Sequence, residues 1–207
     1  LSQILGQFIG VGVIALIIVF QQEIRKFLLL LGNRDFYRGR TGRRFYKRFL
    51  KGVGVSSVDI KPVLKACNVL SRNKVGALII IARESNPQLF VVGGQKLDSD
   101  VNADLLIAIF QKDSPLHDGA LLIQNHRISM AQCVLRVSDN PRMPDGTGLR
   151  HRSALGIAEQ SDVVSVVVSE QTGSLSIAHD SILEYNLNPG LFEKKLNRLF
   201  HLDQKED

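Results

Sequence analysis

Two short stretches of this chain carry side chains suited to chemistry on phosphate: Ser114-Pro115-Leu116-His117-Asp118-Gly119-Ala120 and, further along, Leu149-Arg150-His151-Arg152-Ser153-Ala154. The first puts a carboxylate next to a glycine, which lets a ligand approach the backbone, and an aspartate can hold a divalent cation or accept a proton. The second puts two guanidiniums around an imidazole. Arginine grips phosphate oxygens through a planar, two-pronged fork, so the pair of stretches is equipment for a metal-bound polyphosphate.

Each stretch alone also has an ordinary reading. Asp118-Gly119 before Leu121-Leu122-Ile123 can be a turn entering a buried strand, and Arg-His-Arg can be a solvated charge run. For His117 a hydrogen-bonded structural role competes with metal binding, because neighbours on a regular strand face opposite ways and only a bend at Asp118-Gly119 lets both share a cation. The usual nucleotide cradles are absent: there is no Gly-x-x-x-x-Gly-Lys-Ser/Thr loop and no complete Gly-x-Gly-x-x-Gly fingerprint. Neither a Gly-x-Ser-x-Gly elbow nor zinc-ligand spacing occurs.

The elements that must position these side chains follow from periodicity. Helical spacing predicts a helix over residues 62–72, capped by Ser57 or begun at Pro62, and another from Asn102 to near Gln111 with Leu105, Leu106, Ala108 and Ile109 inward. Residues 75–82 and 89–92 read as strands about a turn at 84–87, and residues 119–124 and 127–137 as a hairpin turning at Asn125-His126. A loop over residues 138–148 leads to a helix over 153–160, which places Arg150-His151-Arg152 near a helix N-terminus, itself attractive to anions. Strands at 163–168 and 174–178 and a helix at 191–202 complete one α/β (α+β) domain, a central mixed sheet flanked by helices.

Composition sets the frame. The chain has 207 residues and a net charge of +6. Residues 34 to 51 hold eight basic side chains against Asp35 alone, so the basicity belongs to that segment. Interleaved with Phe36, Tyr37, Phe45, Tyr46 and Phe49, it reads as a solvated linker, a contact for anionic lipid headgroups, or a nucleic-acid contact. Upstream, no charge occurs from Leu1 through Gln22. A helix of that length at ~1.5 Å per residue spans about one hydrocarbon core, although Gln3 and Gln7 interrupt it and a buried or interfacial helix competes. Leu1 opens inside the apolar pattern, so the chain is expected to be a piece of a longer protein lacking upstream transmembrane helices. The expected organisation is an apolar helix at 1–32, a basic connector at 33–53 and a catalytic domain at 54–207. Cys67 and Cys133 form no Cys-x-x-Cys pair and sit in apolar segments, which predicts reduced, buried thiols.

Together, Asp118-Gly119-Ala120, Arg150-His151-Arg152, the upstream Gly76-Ala77-Leu78-Ile79-Ile80, the downstream Val167-Val168-Ser169-Glu170-Gln171-Thr172-Gly173 and Ser176-Ile177-Ala178-His179 make a specific combination. From about residue 4 to about residue 185 the chain resembles the diadenylate cyclase family. Gln7 to Leu16 and Phe20 to Arg25 are similar to its membrane-bound CdaA (DacA) branch. The resemblance implies that two ATP molecules, one on each subunit of a face-to-face homodimer, become cyclic di-AMP and two pyrophosphates, with Mn²⁺ or Mg²⁺ as cofactor. It implies Asp118, with His117 and Glu170, as metal-binding, and Arg150, His151 and Arg152 as phosphate-holding. Gly119, Ala120, Leu135, Thr147, Leu149, Ser169 and Glu170 are the implied ATP-binding positions. It also implies a cell-membrane location with a cytoplasmic catalytic domain and a membrane or anionic lipid near residues 1–51; nucleic acid is not an expected partner. This chain departs from the family at Leu149, where a threonine is usual, so that Thr147 or a backbone N–H would have to replace the hydroxyl contact. Val134 stands where an aromatic often flanks the base. A non-enzymatic nucleotide sensor or nucleic-acid-binding module, or a nucleotidyltransferase with another hydroxyl acceptor, are the alternatives.

Overall fold

The computed structural model describes residues 59–83 and 87–201. The expected N-terminal helix, the basic connector, Ser57 and the turn residues 84–86 lie outside the described residues. In chain order the elements are helix α1 (Lys61–Arg72), strand β1 (Ala77–Ala82), a 3-10 turn (Pro87–Phe90), β2 (Val91–Val92), β3 (Gln95–Asp100), α2 (Ala103–Phe110), β4 (Ala120–Gln124), β5 (Arg127–Leu135), α3 (Leu149–Gln160), β6 (Val163–Val168), β7 (Leu175–His179), β8 (Ile182–Leu187) and α4 (Pro189–His201).

One mixed sheet runs β2-β5-β4-β1-β6-β7-β8, with β3 also paired to β5. Only β1 and β4 are parallel, with Ile79 opposite Leu121; the other pairings are antiparallel. The central strands β1 and β6 are buried along their whole length, and β4 over all but Gln124. Their unbroken Ile, Leu and Val runs follow from that, since a strand covered on both faces has no solvent side to reserve for polar groups. On one face Ile79, Ile81, Leu121, Val164 and Val166 pack with residues of α1, α2 and α4; on the other Leu78, Ile80, Leu122 and Val167 pack with Ala154, Ile157 and Ala158 of α3. Burial pushes the Cys67 thiol up to about 12 and the Cys133 thiol up to about 11, so neither supplies a thiolate near neutrality.

Several expectations shift. Of the strand expected over residues 89–92, Val91–Val92 form β2, while the first two residues belong to the 3-10 turn, which begins at Pro87, where φ is already helical. Strand β3, Gln-Lys-Leu-Asp-Ser-Asp, was invisible to an apolar pattern because it offers only Leu97; Arg127 holds it, donating from Nε to Asp98 Oδ1 at 2.6 Å and from Nη1 to Asp100 Oδ1 at 2.5 Å. Strand β8 was missed likewise, its turn at Asp180-Ser181 taking positive φ without glycine. In α2 the buried residues are Ala103, Leu106, Ile109 and Phe110, while Leu105 and Ala108 face outward. The turn at Asn125-His126 is as expected, with both residues at positive φ.

Candidate active site

Strand direction draws the two sequence stretches together. The starts of the parallel strands β1 and β4 lie at the same sheet edge as the ends of the antiparallel β5 and β6, with Ala77 opposite Val168 and Ala120 opposite Cys133. Asp118 and Gly119 therefore precede β4 at the edge where Glu170 follows β6 and Gly76 precedes β1. Arg150, in the first turn of α3, reaches the same edge.

Asp118 lies in the loop between α2 and β4, not on a strand, and that resolves its relation to His117. Gly119 takes φ +96°, and a Cβ there would stand 2.9 Å from the carbonyl oxygen of Cys133, so only glycine lets the loop press against β5 and turn. The bend leaves His117 Nε2 3.5 Å from Asp118 Oδ1. His117 Nδ1 lies 2.6 Å from the carbonyl oxygen of Ser114, which can only accept, so Nδ1 carries a proton and Nε2 is the ring nitrogen that faces the carboxylate. With Asp118 83% exposed, the pair opens to solvent.

Arg150 Nη1 donates to Glu170 Oε2 at 3.0 Å, and the guanidinium lies over Gly76, where an added Cβ would meet Nη1 at 2.8 Å and Glu170 Cβ at 3.0 Å. Lys112 Nζ, from the Asp118 loop, lies 4.0 Å from Glu170 Oε1. Glu170 thus joins two cations from separate elements, and the structure does not bring it to His117 and Asp118. Among the described residues no group of three His, Cys, Asp or Glu side chains could enclose a metal. Of the three expected metal-binding residues the structure places His117 beside Asp118, while Glu170 stands beside Arg150 and Lys112.

His151 is 3% exposed. Its Nδ1 accepts from the Gly148 N–H at 3.3 Å, half of a capping box at the start of α3, and Nε2 has no hydrogen-bond partner among the described residues. Its ring meets Tyr185 edge-on with centroids 5.4 Å apart, and the Tyr185 hydroxyl donates to the carbonyl of Gly146 at 3.4 Å. Burial pushes the imidazole below its ordinary value. His151 thus lies buried beneath the helix start that carries both arginines. The guanidinium of Arg152 has no hydrogen-bond or ion-pair partner among the described residues. Leu149 is 74% exposed, and the Thr147 hydroxyl donates to the carbonyl of Pro144 at 2.8 Å.

Of the other expected ATP-binding positions, Ala120 is in the core, so only its backbone could face a ligand. Leu135 is buried at the end of β5, next to the exposed cross-strand pair Val134 and Val92. Ser169 Oγ accepts from the Thr172 N–H at 3.3 Å, within the turn after β6. Gly76, Lys112 and Tyr185 were not assigned roles from sequence. Gly76 had a signal, a glycine directly before a fully apolar strand; Lys112 and Tyr185 had none, because their partners are distant in the chain.

The family model described as DisA bacterial checkpoint controller nucleotide-binding (DAC) matches residues 64–183. The cyclic di-AMP synthase CdaA of Bacillus subtilis is 34% identical over the whole chain, which spans 72% of that protein. A diadenylate cyclase of Listeria monocytogenes is 35% identical over 84% of the chain, which there spans 61% of the relative. Among solved structures, a double mutant of DacA from Staphylococcus aureus is 38% identical with a TM-score of 0.65, covering 68% of this chain and 94% of that one. A hypothetical membrane spanning protein from Bacillus cereus is 30% identical with a TM-score of 0.60, covering 83% and 80%.

Proposed function

The chain belongs to the DAC family, that of the DisA bacterial checkpoint controller nucleotide-binding domain, and from that premise we propose that it condenses two ATP molecules into cyclic di-AMP, releasing two pyrophosphates where two copies face each other. The observation that carries this reading is the convergence on one sheet edge of the Asp118 loop and the Arg150–Glu170 pair, with Lys112 linking them.

Phosphoryl and nucleotidyl transfers ask a protein chiefly to position reactants and neutralise charge on phosphate oxygens. Arg150 and Arg152 hold those oxygens, assisted by the first-turn amides of α3. Asp118 orients the ribose 3′-hydroxyl of one nucleotide toward the α-phosphate of the other and takes up its proton as the new O3′–P bond forms. The α–β phosphoanhydride bond breaks and pyrophosphate leaves. Asp118, with His117 Nε2 beside it, would hold a divalent cation, Mg²⁺ or Mn²⁺. Such a cation would add charge neutralisation at the α-phosphate and favour ionisation of the hydroxyl. With one Asp118/Arg150 set per chain, a cyclic product requires a second copy.

Residues 1–51 hold the cyclase at the cell membrane, its catalytic domain in the cytoplasm. CdaA and the membrane spanning protein of Bacillus cereus support this reading; no helix among the described residues is long and apolar enough to cross a membrane.

The test is incubation with ATP and Mn²⁺ or Mg²⁺ across an enzyme dilution series, with the product identified by mass and the oligomeric state measured in parallel. Cyclic di-AMP is expected, with specific activity rising with enzyme concentration or staying constant for a preassembled dimer. A folded protein that gives no cyclic product with either cation overturns the activity. Full synthesis by a strict monomer overturns the facing-subunit site.

A further inference from the structure

Strand β5 contains an anomaly that the reaction as described does not use. Gln132 sits inside the strand with φ +55°, in the left-handed region that disfavours a side chain. It coincides with a bulge: Ala120 pairs with Cys133 and Leu122 with Met130, so β5 spends one more residue than β4 across that interval. Glycine would occupy such a position with less strain, and a strained backbone conformation at the rim of a site invites a functional explanation. The side chain supplies one. Gln132 Nε2 donates to the carbonyl oxygen of Pro115, in the loop that carries Asp118. A carbonyl only accepts, so the orientation of the amide is determined.

The attachment is well placed. Pro115 adjoins Ser114, whose carbonyl accepts from His117 Nδ1 and whose hydroxyl accepts from the Leu116 N–H at 3.2 Å. At the other end of the loop Gly119 lies against the backbone of Gln132 and Cys133. Strand β5 therefore grips the loop on both sides of the His117–Asp118 pair, by a backbone contact at Gly119 and by an amide at Pro115.

We propose that Gln132 is a positioning residue for this site, holding the loop 114–119 against the β5 bulge so that Asp118 meets the reacting hydroxyl at a defined place. Its kinetic consequence rests on the cyclase reading; the clamp itself does not.

Gln132→Gly relieves the left-handed backbone and deletes the amide, and Gln132→Glu keeps the length but replaces the donor with a carboxylate facing the Pro115 carbonyl. Melting, amide hydrogen exchange over residues 114–119 and steady-state kinetics with ATP are measured on the full chain. The Gly variant is expected to melt at or above the wild-type temperature while its loop exchanges about fivefold faster, the factor expected for losing one net hydrogen bond. In both variants kcat falls about fivefold to tenfold with KM for ATP little changed, because orientation and not binding is lost. A purely structural role for Gln132 would lower the melting temperature and leave the kinetics of the folded fraction alone. Loop exchange like that of the wild type overturns the proposal, as does faster exchange with unaltered kcat. If the wild type makes no cyclic di-AMP, the cyclase reading fails and the exchange measurement alone decides the clamp.

Discussion

Replacing Gly76 by alanine tests the site at a residue that touches no reactant. The new Cβ would stand 2.8 Å from Arg150 Nη1, 3.1 Å from Arg150 Cζ and 3.0 Å from Glu170 Cβ, against about 3.4 Å for ordinary contact. The flexible end of Arg150 gives way first, moving by roughly 0.6 Å or more. That stretches its 3.0 Å bond to Glu170 past hydrogen-bonding distance and shifts the guanidinium from the place at which it is proposed to hold phosphate. Two stability effects oppose each other. Losing a pair in which Glu170 is half exposed costs up to about 1 kcal/mol, and alanine at a position outside the left-handed region recovers about 0.4–1 kcal/mol by restricting the unfolded chain. The melting temperature should therefore move by no more than about 3 °C. Catalysis has no such offset: misplacement by about 1 Å can cost on the order of a hundredfold, so kcat/KM should fall about tenfold to a hundredfold. Differential scanning fluorimetry and chromatographic quantitation of cyclic di-AMP, on the same preparation, measure both. Wild-type kcat/KM in a folded Gly76→Ala protein would refute the cradle, and a large drop in melting temperature that tracks the activity loss would refute the separation of the two effects.

Asp118→Asn should abolish turnover with an unchanged melting temperature, since the side chain is 83% exposed and the change is nearly isosteric; retained turnover would remove Asp118 from the mechanism. Arg150→Lys and Arg152→Lys keep the charge but lose the planar fork, and each should lower kcat/KM for ATP by about tenfold or more with little change in melting; if both match wild type, the arginines hold no phosphate. His151 predicts a pH signature. Because burial lowers its folded value, the stability it contributes is complete above about 6.5 and is lost as pH falls from there toward the depressed folded value. His151→Asn, which keeps an acceptor for the Gly148 N–H, should flatten that slope; parallel melting curves for the two proteins between pH 7.5 and 5 would contradict it. Sedimentation with anionic liposomes should be salt-sensitive and lost when Arg43, Arg44, Lys47 and Arg48 become Gln, and equal binding to neutral vesicles would exclude the headgroup contact.

Much of this protein is legible in its sequence. The unbroken apolar runs at β1 and β6 announce central strands, because burial on both faces leaves no polar alternation. Asn102 announces α2 by its cap, its side chain accepting from the Asp104 N–H at 2.8 Å. The types of Asp118, Gly119, Arg150 and Arg152 are what the proposed phosphate chemistry is read from, since charge, planarity and backbone freedom belong to the residues themselves. Strand β3 stayed hidden because Arg127, far along the chain, holds it by ion pairs to Asp98 and Asp100, and β8 because its turn at Asp180-Ser181 takes positive φ without a glycine to mark it.

The same reason separates what sequence determined about the site from what tertiary structure decided. Residue chemistry named the groups, but their company depends on which strand ends share an edge. Parallel β1–β4 and antiparallel β1–β6 pairing brought Gly76 and Glu170 to Arg150, gave Glu170 to two cations, and left Asp118 of the His117–Asp118 pair open to solvent. Helix α3, starting at Leu149, turned His151 inward against Tyr185, because a first-turn residue of a packed helix faces whichever layer the helix covers. Local spacing cannot encode those contacts; the sheet had to form before they existed.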